Sequence, residues 1–367
     1  MIDILIIGLG PGGGSAAISA ARAGAQVLAV ERRTVLGEPV QCAELVPLAL
    51  SFQVQGVISQ TVAGMRTVLP SGAESRIPFP GLIIDRAAFD QRLAQQAANL
   101  GAQIQIATRL IGLDPQQQRA QLIGPNGFQE IHYGLLIAAD GPHSTVATAL
   151  GLPPLPIVHT RQYQVPLLRP YNDTDIWLSE SFPGGYGWLF PKGDTARLGI
   201  GIDKRYQTDL KVPLDTLHAT LVHQGRVGRT VLSRTGGVIP VGGLRRSLVE
   251  GQIIFVGDAG GFTHPITGAG IAAAVVSGEQ AGKTAAAWLG GEKQALVDYE
   301  CDMVDHFQST LERAVSRRAY LNRVWNTPHA RLDRIHRYSW IAFDDYFAAD
   351  EPDGLRANVS GTRNTAT

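Results

Sequence analysis

The chain has 367 residues, of which 44% are hydrophobic, so it is long enough for a large domain with a second layer and too apolar for extensive disorder. Its 32 basic and 32 acidic residues balance, which excludes a global positive field that would attract nucleic acid. The two cysteines, Cys42 and Cys301, are too few for a disulfide framework or a zinc site, and we expect no bound metal.

The predicted elements begin in strand–helix–strand order. Residues 3–7 predict a buried strand, the alanine-rich stretch to Arg22 predicts a helix, and residues 26–30 predict a second strand. Residues 86–100 then have the apolar spacing of a helix, and residues 103–107 predict a short strand. Two further buried strands are predicted at residues 135–139 and 253–256.

The middle of the chain has a different pattern. Residues 158–202 alternate polar with aromatic or β-branched residues and are interrupted by Gly and Pro, which predicts an antiparallel sheet. Residues 270–289 predict a buried helix, residues 295–325 a longer amphipathic helix, and residues 351–367 a flexible polar tail. No signal peptide and no apolar run of about 18 residues is present, so we expect a cytoplasmic protein.

A glycine fingerprint follows the first strand. Gly8, Gly10 and Gly13 match G-x-G-x-x-G at the start of a helix, where the backbone can approach a pyrophosphate and the helix N-terminus stabilises its charge. Glu31 ends the second strand, where a carboxylate can accept hydrogen bonds from ribose hydroxyls, and Arg32 follows it. The unit predicts a dinucleotide but does not choose between NAD and FAD.

A second glycine-rich segment makes that choice. The strand at residues 253–256 leads to Gly257 and Asp258, and residues 265–271 (PITGAGI) start a helix. An aspartate there can bind ribitol hydroxyls, while free N–H groups at the helix start can face the pyrimidine edge of a flavin. NAD has no ribitol, so the sequence predicts FAD.

Several segments together resemble the flavoprotein superfamily of p-hydroxybenzoate hydroxylase, and more closely its geranylgeranyl reductase branch. The resemblance spans residues 1 to about 290. Residues 39–44 (PVQCAE) are similar to the branch's P-x-x-C-G-E, with Ala43 in place of the usual glycine, and residues 186–191 (YGWLFP) are similar to its Y-x-W-x-F-P. Asp85-Arg86 with Phe89-Asp90, and Asp140-Gly141, also match.

This resemblance implies a fold and a set of site residues. The fold is α/β: a Rossmann-type FAD-binding domain (residues 1–45, 86–150 and 250–290), an inserted antiparallel-sheet substrate domain (46–85 and 151–249) and a C-terminal helical segment (291–350). Arg86 would lie along the FAD, Asp140 would serve cofactor and reductant, and Tyr186, Trp188 and Phe190 would line the substrate cavity. The predicted cofactor contacts are Gly8, Gly10, Gly13, Glu31, Arg32, Arg86, Asp140, Gly141, Gly257, Asp258, Pro265, Gly268, Ala269 and Gly270. The candidate catalytic residues are Cys42, Trp188, Tyr186 and His264.

Several of these features have a structural alternative, which for Tyr186, Trp188 and Phe190 is ordinary sheet core. Cys42, expected near the flavin ring, is equally compatible with a small buried hydrophobe. His264 is compatible with proton transfer or with bonding the loop backbone. The C-terminal arginines and aromatic residues between 313 and 340 favour apolar packing with solvated Arg heads, although contact with anionic lipid, nucleic acid or a protein is the alternative.

Reduced flavin supports two reactions, and the residues leave both open. The branch resemblance favours an FAD-dependent reductase of a C=C bond in a bulky, isoprenoid-type apolar substrate. The alternative is an FAD monooxygenase of an aromatic ring, including a tryptophan of a precursor protein, and a second alternative is a non-catalytic flavin-binding partner. No second nucleotide motif is present, so NAD(P)H or another donor would visit transiently. Peripheral contact with the inner face of a membrane stays open, and no nucleic acid is expected.

Overall fold

Two eight-stranded sheets organise the protein in the computed structural model, which describes residues 2–349. The strands are Ile2–Ile7 (β1), Val27–Val30 (β2), Leu45–Pro47 (β3), Ile58–Val68 (β4), Glu74–Ile84 (β5), Gln103–Gln105 (β6), Arg109–Asp114 (β7), Arg119–Gly124 (β8), Gly127–Ala138 (β9), Ile157–Pro166 (β10), Asp173–Trp177 (β11), Gly187–Lys192 (β12), Thr195–Ile202 (β13), Ser233–Pro240 (β14), Val249–Glu250 (β15) and Ile253–Phe255 (β16). The helices are Pro11–Arg22 (α1), Arg86–Asn99 (α2), Thr145–Ala149 (α3), Lys211–His223 (α4), Gly257–Gly260 (α5), Ile271–Leu289 (α6), Ala295–Val324 (α7) and Asp333–Ser339 (α8). Short 3-10 turns occupy Leu48–Leu50, Pro328–Arg331 and Asp344–Phe347.

The first sheet has the strand order β15-β16-β9-β1-β2-β6, with β7 and β8 continuing from β9. β1 lies between β2 and β9 and runs parallel to both, and β16 runs parallel to β9. Since the carboxyl ends of parallel strands meet at one edge, the segments that follow β1, β2, β9 and β16 are gathered there. These are the segments that contain the predicted nucleotide motifs.

The second sheet has the order β14-β10-β13-β12-β11-β4-β5-β3, and its strands come from residues 45–84 and 157–240. The antiparallel prediction for residues 158–202 is confirmed for β10, β12 and β13. It was wrong for one side of β11, which pairs in parallel with β4, with Thr174 beside Met65. Alternation of polar and apolar residues identifies a strand but carries no information about the direction of a partner that is distant in sequence.

Helix α6 packs closely on α1. A Cβ added to Gly278 would lie 2.1 Å from the Gly12 carbonyl oxygen, and one added to Gly282 would lie 2.4 Å from that of Ala16. The small residues of both helices therefore permit an approach that larger side chains would prevent. This contact joins the N-terminal unit to a segment that is more than 250 residues later in the chain.

The C-terminal region differs from the prediction of solvated arginines. Tyr320, Trp325, Tyr338 and Trp340 are buried, as expected for apolar packing. Arg317 and Arg318 are also buried, however, because Arg317 donates to the Tyr346 carbonyl at 3.0 Å and Arg318 to the Gly184 carbonyl at 2.7 Å. For these two residues the prediction was wrong, since backbone carbonyls replace water around the guanidinium groups.

Most predicted element boundaries fall close to those observed, with two differences. The strand expected at residues 103–107 ends at Gln105, because Ala107 has a left-handed φ of 53°. The strand expected at residues 135–139 is the end of the longer β9. The predicted flexible tail, residues 351–367, lies outside the described residues. Within residues 2–349 there is no helix with the length and apolar character needed to cross a bilayer.

Candidate active site

The β1–α1 turn forms an open cradle at the carboxyl edge of the first sheet. A Cβ at Gly8 would lie 2.4 Å from the Ala139 carbonyl oxygen, and one at Gly13 would lie 1.9 Å from that of Gly8. These two glycines are therefore required by the protein's own packing. At Gly10, by contrast, the nearest atom to an added Cβ is Nη2 of Arg86 at 3.7 Å. The space over Gly10, at the uncapped start of α1, is open to a ligand phosphate.

Glu31 stands beside this cradle at the end of β2. Its Oε2 accepts a hydrogen bond from the backbone N–H of Leu9 at 3.0 Å, and its Oε1 accepts one from that of Arg33 at 3.0 Å. The carboxylate is thereby held at the strand edge, where the ribose of a dinucleotide lies in Rossmann units. Arg32 is exposed at the same end of the strand.

The second glycine-rich segment lies at the same edge, after β16. Asp258 is in the short helix α5, its Oδ1 accepts a hydrogen bond from Thr263 Oγ1, and burial raises the pKa of its carboxyl. Pro265 is buried in the following loop. Gly268 has a left-handed φ of 69°, and Gly270 begins α6 without a side-chain cap. The backbone N–H groups at the start of α6 are thus available to a ligand.

A cavity of about 350 Å³ joins both segments to the second sheet. Of the predicted site residues, those that line it are Gly10, Cys42, Arg86, Gly141, Tyr186, Trp188, Phe190, Gly257, Asp258, Gly268, Ala269 and Gly270. Gly8, Gly13, Glu31, Arg32, Asp140, His264 and Pro265 are not among the lining residues. The structure therefore brings most of the predicted set around one space and places the others behind it or at its flank.

The cavity is also lined by a group of apolar side chains. Met65, Phe79 and Ile176 line it with the three aromatic residues of the YGWLFP segment. Tyr186 packs edge-to-face against Trp188, with ring centroids 5.8 Å apart and an interplanar angle of 61°. The Tyr186 hydroxyl donates to the Thr267 carbonyl, which ties this wall to the loop before α6.

Cys42 is held by backbone contacts at the junction of the two regions. Its Sγ accepts a hydrogen bond from the Glu44 N–H at 3.3 Å, and Nε2 of Gln162 donates to the Cys42 carbonyl at 3.1 Å. Burial raises the pKa of the Cys42 thiol, while the nearby Arg86 guanidinium acts in the opposite direction. The thiol consequently carries its proton at neutral pH.

Glu44 is the centre of a buried ion cluster beneath the cysteine loop. Its side chain is fully buried and accepts from Lys192 Nζ at 2.8 Å, Arg197 Nε at 2.7 Å and the Arg86 backbone N–H at 3.0 Å. The residue itself has a left-handed φ of 69°. The Arg86 guanidinium forms a separate two-point ion pair with Asp90 at 2.8 and 3.1 Å.

Asp140 and His264 support loops beside the cavity. Asp140 Oδ2 accepts from the Val146 N–H at 3.0 Å, at the start of α3. His264 Nδ1 accepts from the N–H groups of Ile266 and Thr267 at 3.3 and 3.2 Å, and burial lowers the pKa of its ring to about 4. The sequence leaves two roles for His264, proton transfer and bonding of the loop backbone. The geometry favours the second, because the neutral ring accepts two backbone hydrogen bonds through Nδ1 and so stabilises the turn.

Sequence reasoning did not identify several residues of the site. Gln162 gave no signal beyond being a polar residue in a strand, and Thr263 is one of many hydroxyl side chains near a glycine turn. Trp340 and Ile341 line the cavity although they lie about 150 residues after the YGWLFP segment. Glu44 belongs to the PVQCAE segment, but residue type and spacing do not indicate that Lys192 and Arg197 are its cationic partners.

Comparison with known proteins decides the family. A family model described as FAD dependent oxidoreductase matches residues 3–119. The digeranylgeranylglycerophospholipid reductase of Methanococcus aeolicus is 32% identical over 320 residues, which cover 81% of this chain and 81% of the relative. The chain belongs to the geranylgeranyl reductase family. It is an FAD-dependent oxidoreductase, as the glycine segments predict.

Solved structures agree with the assignment of this chain to the geranylgeranyl reductase family. A geranylgeranyl bacteriochlorophyll reductase-like protein from Thermoplasma acidophilum superposes with a TM-score of 0.80 at 26% identity, covering 90% of this chain and 94% of that one. Aklavinone-11 hydroxylase, solved with FAD and aklavinone, has a TM-score of 0.70 at 21% identity and covers 90% and 72%. The likeness to the hydroxylase shows a shared fold.

Proposed function

We propose that this protein reduces C=C bonds of a bulky, apolar isoprenoid-type substrate bound in the cavity beside the FAD segments. The observation that carries the proposal is one cavity lined both by glycines of the two predicted nucleotide segments and by apolar side chains, including Met65, Phe79 and Phe190. Prenyl chains are long and apolar and match such a lining. The relative in Methanococcus aeolicus is named as a reductase of a digeranylgeranyl lipid.

The roles of the cofactor-segment residues are part of the proposal. The cradle over Gly10 and the helix start would hold the pyrophosphate, Glu31 the ribose, and Asp258 the ribitol. The loop Gly268–Gly270 and the start of α6 would face the pyrimidine edge of the ring. The second sheet, with residues 46–85 and 151–249, would form the substrate-facing domain.

Alkene reduction needs a hydride at one carbon and a proton at the other, and bound reduced FAD supplies the hydride. The chain has to supply the proton from a group that is protonated at neutral pH and faces the cavity. Cys42 meets both conditions because burial raises the pKa of its thiol. The Tyr186 hydroxyl is also protonated but already donates to the Thr267 carbonyl, so Cys42 is the favoured donor.

The monooxygenase alternative predicts an open mouth bordered by the arginine-rich C-terminal segment. That segment instead contributes Trp340 and Ile341 to the cavity, while Arg317 and Arg318 are buried and are not among the lining residues. A tryptophan within a protein substrate would need an open surface that a protein can approach, whereas these apolar residues line a cavity. The cavity thus supports a free lipid chain better than a protein substrate.

The test is an anaerobic single turnover. Holoenzyme is photoreduced and mixed without oxygen with a geranylgeranyl lipid in detergent, and the return of oxidised-flavin absorbance is followed by stopped flow. We expect substrate-dependent reoxidation and a product heavier by two hydrogens for each flavin oxidised. In a parallel mixing with oxygen, an oxygenated product would instead establish the monooxygenase, and a lipid that stays unchanged in the anaerobic mixing would contradict the proposal.

A further inference from the structure

The C-terminal region contributes Trp340 and Ile341 to the lining of the cavity. Trp340 follows the end of α8 in extended conformation and is 2% exposed. Its ring packs edge-to-face on Tyr186, with centroids 4.9 Å apart and an interplanar angle of 63°. Because the Tyr186 hydroxyl bonds the Thr267 carbonyl, the indole is separated by one aromatic ring from the loop that precedes α6.

The segment around Trp340 is fixed at several points. Asp333, at the start of α8, accepts hydrogen bonds from the backbone N–H of Ser71 at 3.0 Å and from its hydroxyl, in the turn between β4 and β5. Arg331 forms an ion pair with Glu180 at 2.6 Å, and Arg337 forms one with Asp345 at 2.6 Å. These contacts attach the segment that carries Trp340 to the β4–β5 turn and to Glu180.

Trp340 also shares an apolar cluster with the sheet side chains that line the cavity. The cluster includes Met65, Ile176, Trp188 and Phe190, with Phe343 from the C-terminal segment. A tryptophan in such a place fills a large volume with few rotatable bonds. Replacing it by a smaller apolar residue leaves space that the surrounding side chains fill only in part.

We propose that Trp340 is a specificity-determining residue, which limits the width of the substrate cavity beside Tyr186 and selects slender prenyl chains over chains that end in a ring. The proposal deepens the proposed function and rests on it for the substrate class. A smaller side chain at position 340 makes room for a wide apolar substrate group, and it removes contacts from a narrow substrate chain. The effect is therefore a change in the ratio of two affinities, and it can be measured without turnover.

The experiment uses FAD-loaded protein and two isoprenoid alcohols of equal carbon number, geranylgeraniol, which is linear, and retinol, which ends in a ring. Equilibrium dialysis gives the Kd of each alcohol for the wild type, Trp340→Phe and Trp340→Leu. We expect both variants to shift the Kd ratio toward retinol, by on the order of tenfold for Trp340→Leu. Bound FAD per protein is measured in each sample and should not change.

Trp325→Phe is the matched control, because Trp325 is also buried in the C-terminal region but packs in a separate cluster outside the cavity lining. Its Kd ratio should equal that of the wild type. Unchanged ratios in both Trp340 variants with full FAD content, or an equal shift in Trp325→Phe, would overturn the proposal. A shifted ratio together with no alkene reduction by the wild type would sustain the cavity assignment and contradict the proposed function alone.

Discussion

Cys42 illustrates how one residue takes its chemistry from its surroundings. The thiol is next to Arg86, which favours the thiolate, yet burial dominates and raises the thiol pKa. A group in this state can give a proton at neutral pH, whereas a redox or nucleophilic cysteine requires the opposite shift. Cys301, unlike Cys42, is exposed to solvent on α7.

Cys42→Ala should lower the rate of alkene reduction by about 100-fold, since a positioned acid contributes factors of this order. The wild-type rate should be constant at neutral pH and fall as pH rises through the raised thiol pKa, because only the protonated form donates. Single-turnover rates across pH measure both effects. Cys301→Ala should match the wild type throughout. A Cys42→Ala rate within twofold of wild type would rule out the proposed donor.

At the scale of elements, the β1–α1 turn separates two uses of glycine. Gly13 is required because α1 starts against the Gly8 carbonyl, and Gly8 because β1 ends against Ala139. Gly10 faces open space, so the fold does not require its lack of a side chain, and we propose that a ligand does. All three residues belong to one G-x-G-x-x-G pattern in the sequence, and only the folded turn distinguishes their roles.

Gly13→Ala should destabilise the protein by about 3 kcal/mol, because its Cβ would overlap backbone that cannot move alone. Gly10→Ala should change the free energy of unfolding by less than about 0.5 kcal/mol yet weaken FAD binding on the order of tenfold, because the methyl group occupies the cradle. Urea unfolding of the apoproteins and flavin titration measure the two quantities. Equal unfolding and FAD losses in both variants would refute this division of roles.

At the scale of the whole molecule, Glu44 connects parts that are remote in sequence. It joins the cysteine loop to β12 through Lys192, to β13 through Arg197 and to α2 through the Arg86 backbone. The partners on β12 and β13 are 148 and 153 residues away. This buried carboxylate, which two cations share, holds the Cys42 side of the cavity against the second sheet.

Glu44→Gln should destabilise the folded protein by about 3 to 5 kcal/mol, because Lys192 and Arg197 would remain buried without their shared anion. Glu74→Gln is the control, since Glu74 is an exposed partner of Arg66 and should cost at most about 1 kcal/mol. Chemical denaturation of both variants at pH 7 gives the comparison. A similar loss in the two would mean that the Glu44 cluster adds no more than a surface ion pair.

The sequence by itself determined the nucleotide unit, the FAD preference and the family, because strand–turn–helix spacing and the PVQCAE and YGWLFP segments are local signals. It also predicted the aromatic wall, which the structure places in the cavity. The parallel pairing of β4 with β11, the buried state of Arg317 and Arg318, the cations around Glu44 and the position of Trp340 were decided only by the tertiary structure. Each depends on contacts between segments far apart in the chain, and residue type and spacing cannot specify which distant partner is met.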